Sequence, residues 1–153
     1  METIINDEVY LKKGYFINTD KSLLKLDYIY QYLSEESYWA KGLSREKFET
    51  SIKGSTCFGV FLQEKQIGFA RVISDKSTFA YLADVFIDKH FRKQGLSKWL
   101  VQTIINHKDF EGIRRFLLAT ADAHQLYKKF GFEPLNQPDR FMQKFKPYQT
   151  SSS

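Results

Sequence analysis

The pattern of apolar and polar positions in the first third of the chain predicts one strand and two helices. Apolar side chains concentrated over 10–17 predict the strand. Over 20–33 apolar residues recur at helical spacing, and Thr19 or Asp20 can cap the start of a helix there. A shorter helix is predicted over 44–52, because it starts at a serine and a glycine follows its end.

A meander of three strands is predicted in the middle of the chain. Apolar runs over 57–62, 67–73 and 79–87 are separated by short polar turns, which is typical of antiparallel neighbours. The third run is apolar at every position except Asp84. A strand of that composition should lie in the middle of the sheet with both faces covered.

The second half of the chain predicts two further helices and two further strands. In order they are a helix from Leu96, a strand over 115–121, a helix over 123–130 and a last strand over 140–145. Thr120 or Asp122 can cap the second of these helices, and Gly131 can end it with a positive φ. The order strand, helix, strand from residue 79 to residue 121 predicts a right-handed parallel crossover.

Length and composition predict one domain. The chain has 153 residues, of which 42% are hydrophobic and 16% aromatic, enough for a packed core. All three prolines fall in the last 20 residues, and no repeat or linker divides the chain. We expect a single domain over 1–148 and a disordered tail over 149–153.

The number of cysteines and the net charge reduce the number of possible functional classes. Cys57 is the only cysteine, so no internal disulfide can form, and three histidines with one cysteine do not predict a metal site. With no leader pattern and no long apolar run, we expect a cytoplasmic protein without a membrane segment. The net charge of +5 suits nucleic acid or a polyanionic cofactor. Because no basic stripe or stacking motif is present, an RNA-binding module is the less favoured alternative.

The turn before the Leu96 helix has the features of an anion site. Residues 92–97 join an apolar strand to an amphipathic helix, where unpaired N–H groups and the helix dipole attract an anion. Gly95 would let the backbone close around that anion, and Arg92, Lys93 and Lys98 add positive charge. The alternative is a plain tight turn with a solvated basic rim.

Two segments together resemble the GNAT acetyltransferases. Val85-Phe86-Ile87 leads into Arg92-Lys93-Gln94-Gly95-Leu96-Ser97, which is similar to the family signature Gln/Arg-x-x-Gly-x-Gly/Ala. Arg92 and Gly95 match, whereas Ser97 departs from the usual Gly or Ala. The segment 123–132, Ala-His-Gln-Leu-Tyr-Lys-Lys-Phe-Gly-Phe, is similar to the family's Ala-x-x-Leu-Tyr-x-x-x-Gly-Phe stretch.

The resemblance implies an α/β fold and a place for acetyl-CoA. The GNAT fold is a twisted mixed sheet with about four helices, splayed between the strands predicted over 79–87 and 115–121, and coenzyme A enters that V-shaped gap. Asp122 departs from the asparagine that many relatives carry. By resemblance, the residues that bind acetyl-CoA are Val85, Phe86, Ile87, Arg92, Lys93, Gln94, Gly95, Leu96, Ser97, Asp122 and Tyr127.

Tyr127 and Asp84 are the candidate catalytic residues. In the family the tyrosine of the second motif commonly protonates the departing thiolate, and a phenol with a pKa near about 10 can do so at neutral pH. The alternative is that Tyr127 is a core residue, in which case His124 is the next proton donor. Asp84 could act as a base or anchor the incoming ammonium, or it could only hydrogen-bond a neighbouring loop.

The predicted function is transfer of an acetyl group from acetyl-CoA to a primary amine of a small molecule or peptide, by direct attack in a ternary complex. Tyr38 and Trp39, in the loop between the first two helices, would shape the acceptor site, with simple packing as their alternative role. A second possibility is a non-catalytic acyl-CoA-binding module on the same fold. The acceptor and the oligomeric state stay open, a homodimer being the commonest assembly.

Overall fold

The computed structural model describes residues 4–149 and contains one five-stranded sheet whose strands lie in chain order. The strands are β1 (Tyr15–Asn18), β2 (Thr56–Leu62), β3 (Lys65–Ser74), β4 (Phe79–Ile87) and β5 (Arg115–Leu118). Neighbours from β1 to β4 are antiparallel, and β4 and β5 are parallel, as the crossover predicts. Within the described residues no helix has the length and apolar character needed to cross a bilayer.

Residues 4–149 form five α-helices, which lie on the two faces of the sheet. They are α1 (Asp7–Leu11), α2 (Leu26–Gln31), α3 (Arg45–Lys53), α4 (Leu96–Ile105) and α5 (His124–Lys128). One apolar cluster joins α4 to sheet residues such as Phe58 and Val60. A second cluster joins α2 and α3 to the opposite face, where Cys57 and Phe69 lie. The alternation along β2 and β3 therefore divides the core into two layers.

The first predicted strand is wrong over its first half. Residues 7–11 form α1, whose N-cap Asn6 accepts a hydrogen bond from the Glu8 N–H at 2.9 Å, and only Tyr15–Asn18 pairs with β2. Tyr10 belongs to α1 and stacks on Trp99 of α4, with ring centroids 4.6 Å apart. Burial of this ring against a distant helix stabilises a helical turn that the local apolar pattern does not distinguish from a strand.

The first predicted helix is broken, whereas the second is confirmed. Asp20 caps only a 3₁₀ turn over Lys21–Leu23, and α2 begins at Leu26 and continues as a π-helical stretch over Tyr32–Glu36. Between these pieces, the Lys25 N–H donates to the Gln66 side chain of β3 at 2.8 Å. A tertiary hydrogen bond thus replaces one helical bond. α3 starts as predicted, with its Ser44 cap accepting from the Lys47 N–H.

The C-terminal third departs most from the sequence prediction. β5 ends at Leu118 rather than residue 121, and the predicted last strand over 140–145 does not form. Both predicted caps of the last helix are also wrong: α5 has Ala123 as its N-cap with no side-chain cap, and the Thr120 hydroxyl accepts instead from the N–H of Ala123 itself at 3.0 Å. The end of α5 is confirmed, since Gly131 has a φ of +91°. Of the predicted disordered tail, residues 150–153 lie outside the described residues.

Candidate active site

β4 and β5 separate and leave a gap in the sheet. Their pairing runs from Phe79 with Arg115 to Leu82 with Leu118 and then stops, while β4 continues to Ile87. The rest of β4 therefore has no strand partner on its β5 side within the described chain. This open edge is the V-shaped gap that the family resemblance implied. β4 is an interior strand as predicted, but its residues 83–85 are only half-buried.

A β-bulge marks the point where the gap opens. Phe69 pairs with Phe86 and Arg71 with Ala83, so Asp84 and Val85 together lie opposite Ala70 alone. Asp84 has a φ of +56°, a left-handed conformation that aspartate adopts more readily than most residues. The bulge lets β4 bend away from β5.

The Asp84 carboxylate joins three parts of the chain. Its Oδ2 accepts from Arg71 Nε at 2.5 Å, and its Oδ1 accepts from Trp39 Nε1 at 2.8 Å. The side chains are 10% exposed for Asp84 and 17% for Arg71, so this ion pair is largely shielded from water. The loop hydrogen bond that was an alternative role for Asp84 is therefore present, and it holds Trp39 in place.

The turn at 92–97 has the backbone shape of an anion site. Lys93 has a φ of +66° and Gly95 a φ of +81°, directly before the first turn of the ten-residue helix α4. In such a turn the N–H groups that enter the helix point outward together. The Tyr10 hydroxyl donates to the Gln94 carbonyl at 2.8 Å and lies 2.5 Å from where a Cβ on Gly95 would stand. Only glycine fits here, because of both φ and this close approach.

Side chains of the turn hydrogen-bond to neighbouring parts of the chain and stabilise its conformation. Arg92 donates from Nε to the Ile87 carbonyl at 2.9 Å and from Nη2 to the Tyr32 hydroxyl at 3.1 Å. The Gln94 amide accepts from the Tyr15 hydroxyl at 3.2 Å, and Leu96 is buried in the core. The side chains of Arg92 and Gln94 therefore fix the shape of the turn.

A cavity of about 550 Å³ lies where the gap widens, between the loop after α2 and the end of β5. The structure brings together there six of the residues singled out from sequence: Tyr38, Trp39, Asp84, Val85, Asp122 and Tyr127. The Tyr38 hydroxyl accepts from the Ala121 N–H at 2.9 Å, which ties the loop to the end of β5. The phosphate-type turn and His124 do not line this cavity.

Tyr127 lies on the cavity wall with little exposure to water. The residue is 7% exposed, and its ring packs edge-on against Phe132. Burial above all, then the neighbouring Tyr38 and Asp122, raises the pKa of the phenol to about 12. No side chain or backbone group of residues 4–149 hydrogen-bonds its hydroxyl in this structure. The phenol therefore keeps its proton at neutral pH, and Tyr127 lines the cavity.

Sequence reasoning missed several residues of this site. Arg71 is the one charge in the apolar run over 67–73, and lone charges in neighbouring apolar runs could have predicted the Arg71–Asp84 pair. Tyr81 and Tyr148 also line the cavity. The role of Tyr10 could not be predicted from a local pattern, because its hydroxyl contacts the Gln94 carbonyl, 84 residues away in the chain.

Comparisons with known proteins agree with this geometry. The model of the acetyltransferase (GNAT) domain family matches residues 53–134. A crystal structure from Xanthomonas campestris pv. campestris, described as "a putative acetyltransferase belonging to the gnat family", is 43% identical and has a TM-score of 0.87. The similarity covers 90% of this chain and 97% of that one. The chain therefore belongs to the GNAT acetyltransferase family.

Two further relatives are more distant. "Putative acetyltransferase FG08082" of Gibberella zeae is 28% identical over 150 residues, 84% of each protein. A Clostridium acetobutylicum protein, solved as a "predicted acetyltransferase with acetyl-CoA", has a TM-score of 0.61 at 15% identity, over 86% of this chain and 94% of its own. At that identity the likeness is one of fold.

Proposed function

We propose that this protein is an N-acetyltransferase of the cytoplasm that transfers the acetyl group of acetyl-CoA to a primary amine of a small molecule or peptide. The observation that carries the proposal is the open edge of β4 between the anion-type turn at 92–97 and the buried phenol of Tyr127. An elongated acyl donor fits this arrangement: its charged end would lie at the turn, its arm along the open edge of β4, and its thioester at the Tyr127 phenol. The unpaired, buried Cys57 agrees with a reducing compartment.

The described residues fit acetyl-CoA along the gap. The N–H groups at the start of α4 would hold the pyrophosphate, because the helix dipole and the positive φ of Gly95 both favour an anion there. On the gap side of β4, Val85 and the Ile87 N–H would pair with the amides of the pantetheine arm, as an added strand does, while Phe86 pairs with β3 and the Ile87 carbonyl accepts from Arg92. Lys93 and Ser97 lie in the same turn, and Asp122 lies beside Tyr127.

When bound, acetyl-CoA supplies an activated acetyl thioester. The acceptor enters the cavity as an ammonium ion and loses one proton to solvent; its neutral nitrogen then forms a bond to the acetyl carbon, and the carbon–sulfur bond breaks. Tyr127 gives its proton to the departing sulfur and regains one from solvent, and solvent takes the second proton that the nitrogen loses. A phenol with a pKa of about 12 holds this proton at neutral pH.

The other cavity residues bind and orient the acceptor. Tyr38 and Trp39 form an aromatic wall fixed by hydrogen bonds to the Ala121 N–H, three residues after β5, and to Asp84. Asp84 places a negative charge beside that wall, where it anchors the incoming cation before the amine loses its proton. Arg71 holds the carboxylate in position from β3.

Coenzyme A release with a panel of primary amines, combined with calorimetry of acetyl-CoA binding, tests the proposal. We expect binding and turnover with at least one amine. Tyr127→Phe keeps the ring and its packing, so we expect turnover to fall by about 10²- to 10⁴-fold with little change in acetyl-CoA affinity. Binding without transfer to any amine would favour the non-catalytic acyl-CoA-binding module. Absence of binding would rule out both.

A further inference from the structure

The Arg71 guanidinium has hydrogen-bond donors that the described chain does not use. Within residues 4–149 its hydrogen bond runs from Nε to the Asp84 carboxylate, and neither Nη nitrogen has an acceptor. In this part of the chain no deeply buried side-chain nitrogen lacks a partner, so the Nη groups reach open space. That space is the acceptor cavity, which Arg71 lines. Two free Nη groups form the planar fork that binds a carboxylate.

Lys47 adds a second positive charge to the same side of the cavity. It lies on α3, where Lys47 and Ser51 are four residues apart and both line the cavity. Arg71 is on the face of β3 that α3 covers, because Phe69, two residues earlier, belongs to the apolar layer of α3. Among residues 4–149 the Lys47 ammonium forms no ion pair. Both cations are therefore available to an anion in the cavity.

The Asp84 carboxylate lies directly beside this positive region. One of its oxygens accepts from Arg71 and the other from Trp39, and each oxygen has a second lone pair. Since Arg71 holds Asp84 through Nε and keeps its Nη groups, a place for a cation and a place for an anion are adjacent. A ligand that fills both carries an amine and an anionic group only a few bonds apart.

The charged residues that line the cavity balance one another. They are two cations and two carboxylates: Lys47, Arg71, Asp84 and Asp122. A ligand with one ammonium and one carboxylate adds no net charge to this set. A phosphate dianion would leave an excess of negative charge, so the balance favours a carboxylate as the anionic group of the acceptor.

Aromatic rings form much of the remaining wall. They belong to Tyr38, Trp39, Tyr81 and Tyr148. Such rings pack against an aromatic or apolar side chain. The volume of about 550 Å³ is in the range of sites that hold one small molecule.

We propose that the acceptor is a free α-amino acid with an aromatic or apolar side chain. Its ammonium binds Asp84, its carboxylate binds the Arg71 Nη groups and Lys47, and its side chain packs against the aromatic wall. The inference rests on the proposed acetyl transfer, because that reaction makes the cavity an acceptor site. A peptide N-terminus has an amide where an amino acid has its carboxylate, so the site selects the small molecule.

Three probes that differ next to the amine test this proposal. L-Phenylalanine has a carboxylate there, L-phenylalaninamide a neutral amide and 2-phenylethylamine neither. Coenzyme A release, and calorimetry in the presence of coenzyme A, are measured for each probe with the wild type and Lys47→Gln. Each comparison is made within one probe at one pH, so the different basicity of the three amines cancels.

Lys47→Gln should act only on the probe with a carboxylate. We expect the KM and Kd of L-phenylalanine to rise by about tenfold, because an ionic contact is lost. The values for the other two probes and the affinity for acetyl-CoA should not change. Lys53→Gln is the matched control, because Lys53 is an exposed lysine of α3 that does not line the cavity. It should leave all three probes unaffected.

Arg71→Lys keeps a positive charge beside Asp84 but removes the planar fork. We expect this variant to lose more affinity for L-phenylalanine than for 2-phenylethylamine, with thermal unfolding as the check that it folds. Equal effects of Lys47→Gln on the three probes would overturn the amino acid acceptor, as would tighter binding of 2-aminoethyl phosphate than of L-phenylalanine. Absence of binding by L-phenylalanine, L-tryptophan and L-leucine would overturn it too.

The same measurements separate this inference from the proposed function. Transfer to amines without any preference for a carboxylate leaves acetyl transfer intact and overturns the amino acid acceptor alone. Binding of L-phenylalanine that depends on Lys47, without transfer to any amine, supports the amino acid site and overturns the acetyltransferase activity.

Discussion

At the scale of single residues, the pKa of Tyr127 leads to a prediction about pH. Burial raises this pKa to about 12, so the phenol keeps its proton throughout the range in which the acceptor amine loses its own. We expect the turnover rate to rise with pH as the amine becomes neutral and then to stay level up to about pH 10. A phenol with its ordinary pKa would be about half ionised there.

The pH profile is measured under saturating substrates with an acceptor for which chemistry limits the rate. A fall in turnover between pH 8 and 9 in the wild type, retained in Tyr127→Phe, would show that another group donates the proton. His124 is the neighbouring alternative, and it does not line the acceptor cavity.

The contact between Tyr10 and Gly95 predicts non-additive substitutions. Gly95→Ala places a Cβ 2.5 Å from the Tyr10 oxygen, so we expect loss of stability and weaker acetyl-CoA binding. Tyr10→Phe loses one hydrogen bond to Gln94, worth about 1 kcal/mol, but also removes the oxygen that the new Cβ meets. The double variant should therefore lose less free energy of unfolding than the sum, by on the order of 1 kcal/mol.

Urea unfolding and acetyl-CoA calorimetry of the four proteins measure this coupling. Tyr15→Phe is the matched control, because its hydroxyl bonds the Gln94 side chain and is not among the atoms near Gly95. It should combine additively with Gly95→Ala. If the effects of Tyr10→Phe and Gly95→Ala on the free energy of unfolding also add, the stability lost in Gly95→Ala comes from the positive φ of residue 95 alone.

At the scale of elements, the Asp84 carboxylate links β3, β4 and the loop after α2. Asp84→Asn leaves Arg71 without its charge partner in a largely buried place, which should destabilise the fold by up to about 3 kcal/mol. We also expect lower turnover with unchanged acetyl-CoA affinity, because the charge faces the acceptor cavity. Thermal unfolding, calorimetry and coenzyme A release measure the three quantities.

Adding Arg71→Gln to Asp84→Asn separates the structural role from the functional one. The double variant has no unpaired charge, so we expect it to regain part of the stability while turnover stays low. If turnover returns together with stability, Asp84 only holds the elements together. If the double variant is as unstable as Asp84→Asn, the unpaired charge is not the cause of the loss.

At the scale of the whole molecule, the parts of the fold that were predictable are those that a short segment of sequence specifies by its own pattern. The bounds of β4 and the start of α3 follow from one apolar run and one serine cap. The central sheet and the turn at 92–97 follow from family motifs within 85–97 and 123–132. The last strand predicted over 140–145 does not form, since an apolar pattern by itself does not supply a strand partner.

The sequence by itself determined the family, the antiparallel meander with its parallel crossover and the positions of Gly95 and Tyr127, because those depend on spacing within short segments. Only the tertiary structure decided that residues 7–11 form a helix, since the Tyr10 ring is stabilised by contacts with Trp99 and Gln94. It also decided that Asp84 pairs with Arg71 and Trp39. These groups are 13 and 45 residues from Asp84, and only strand pairing and loop packing place them within hydrogen-bond distance.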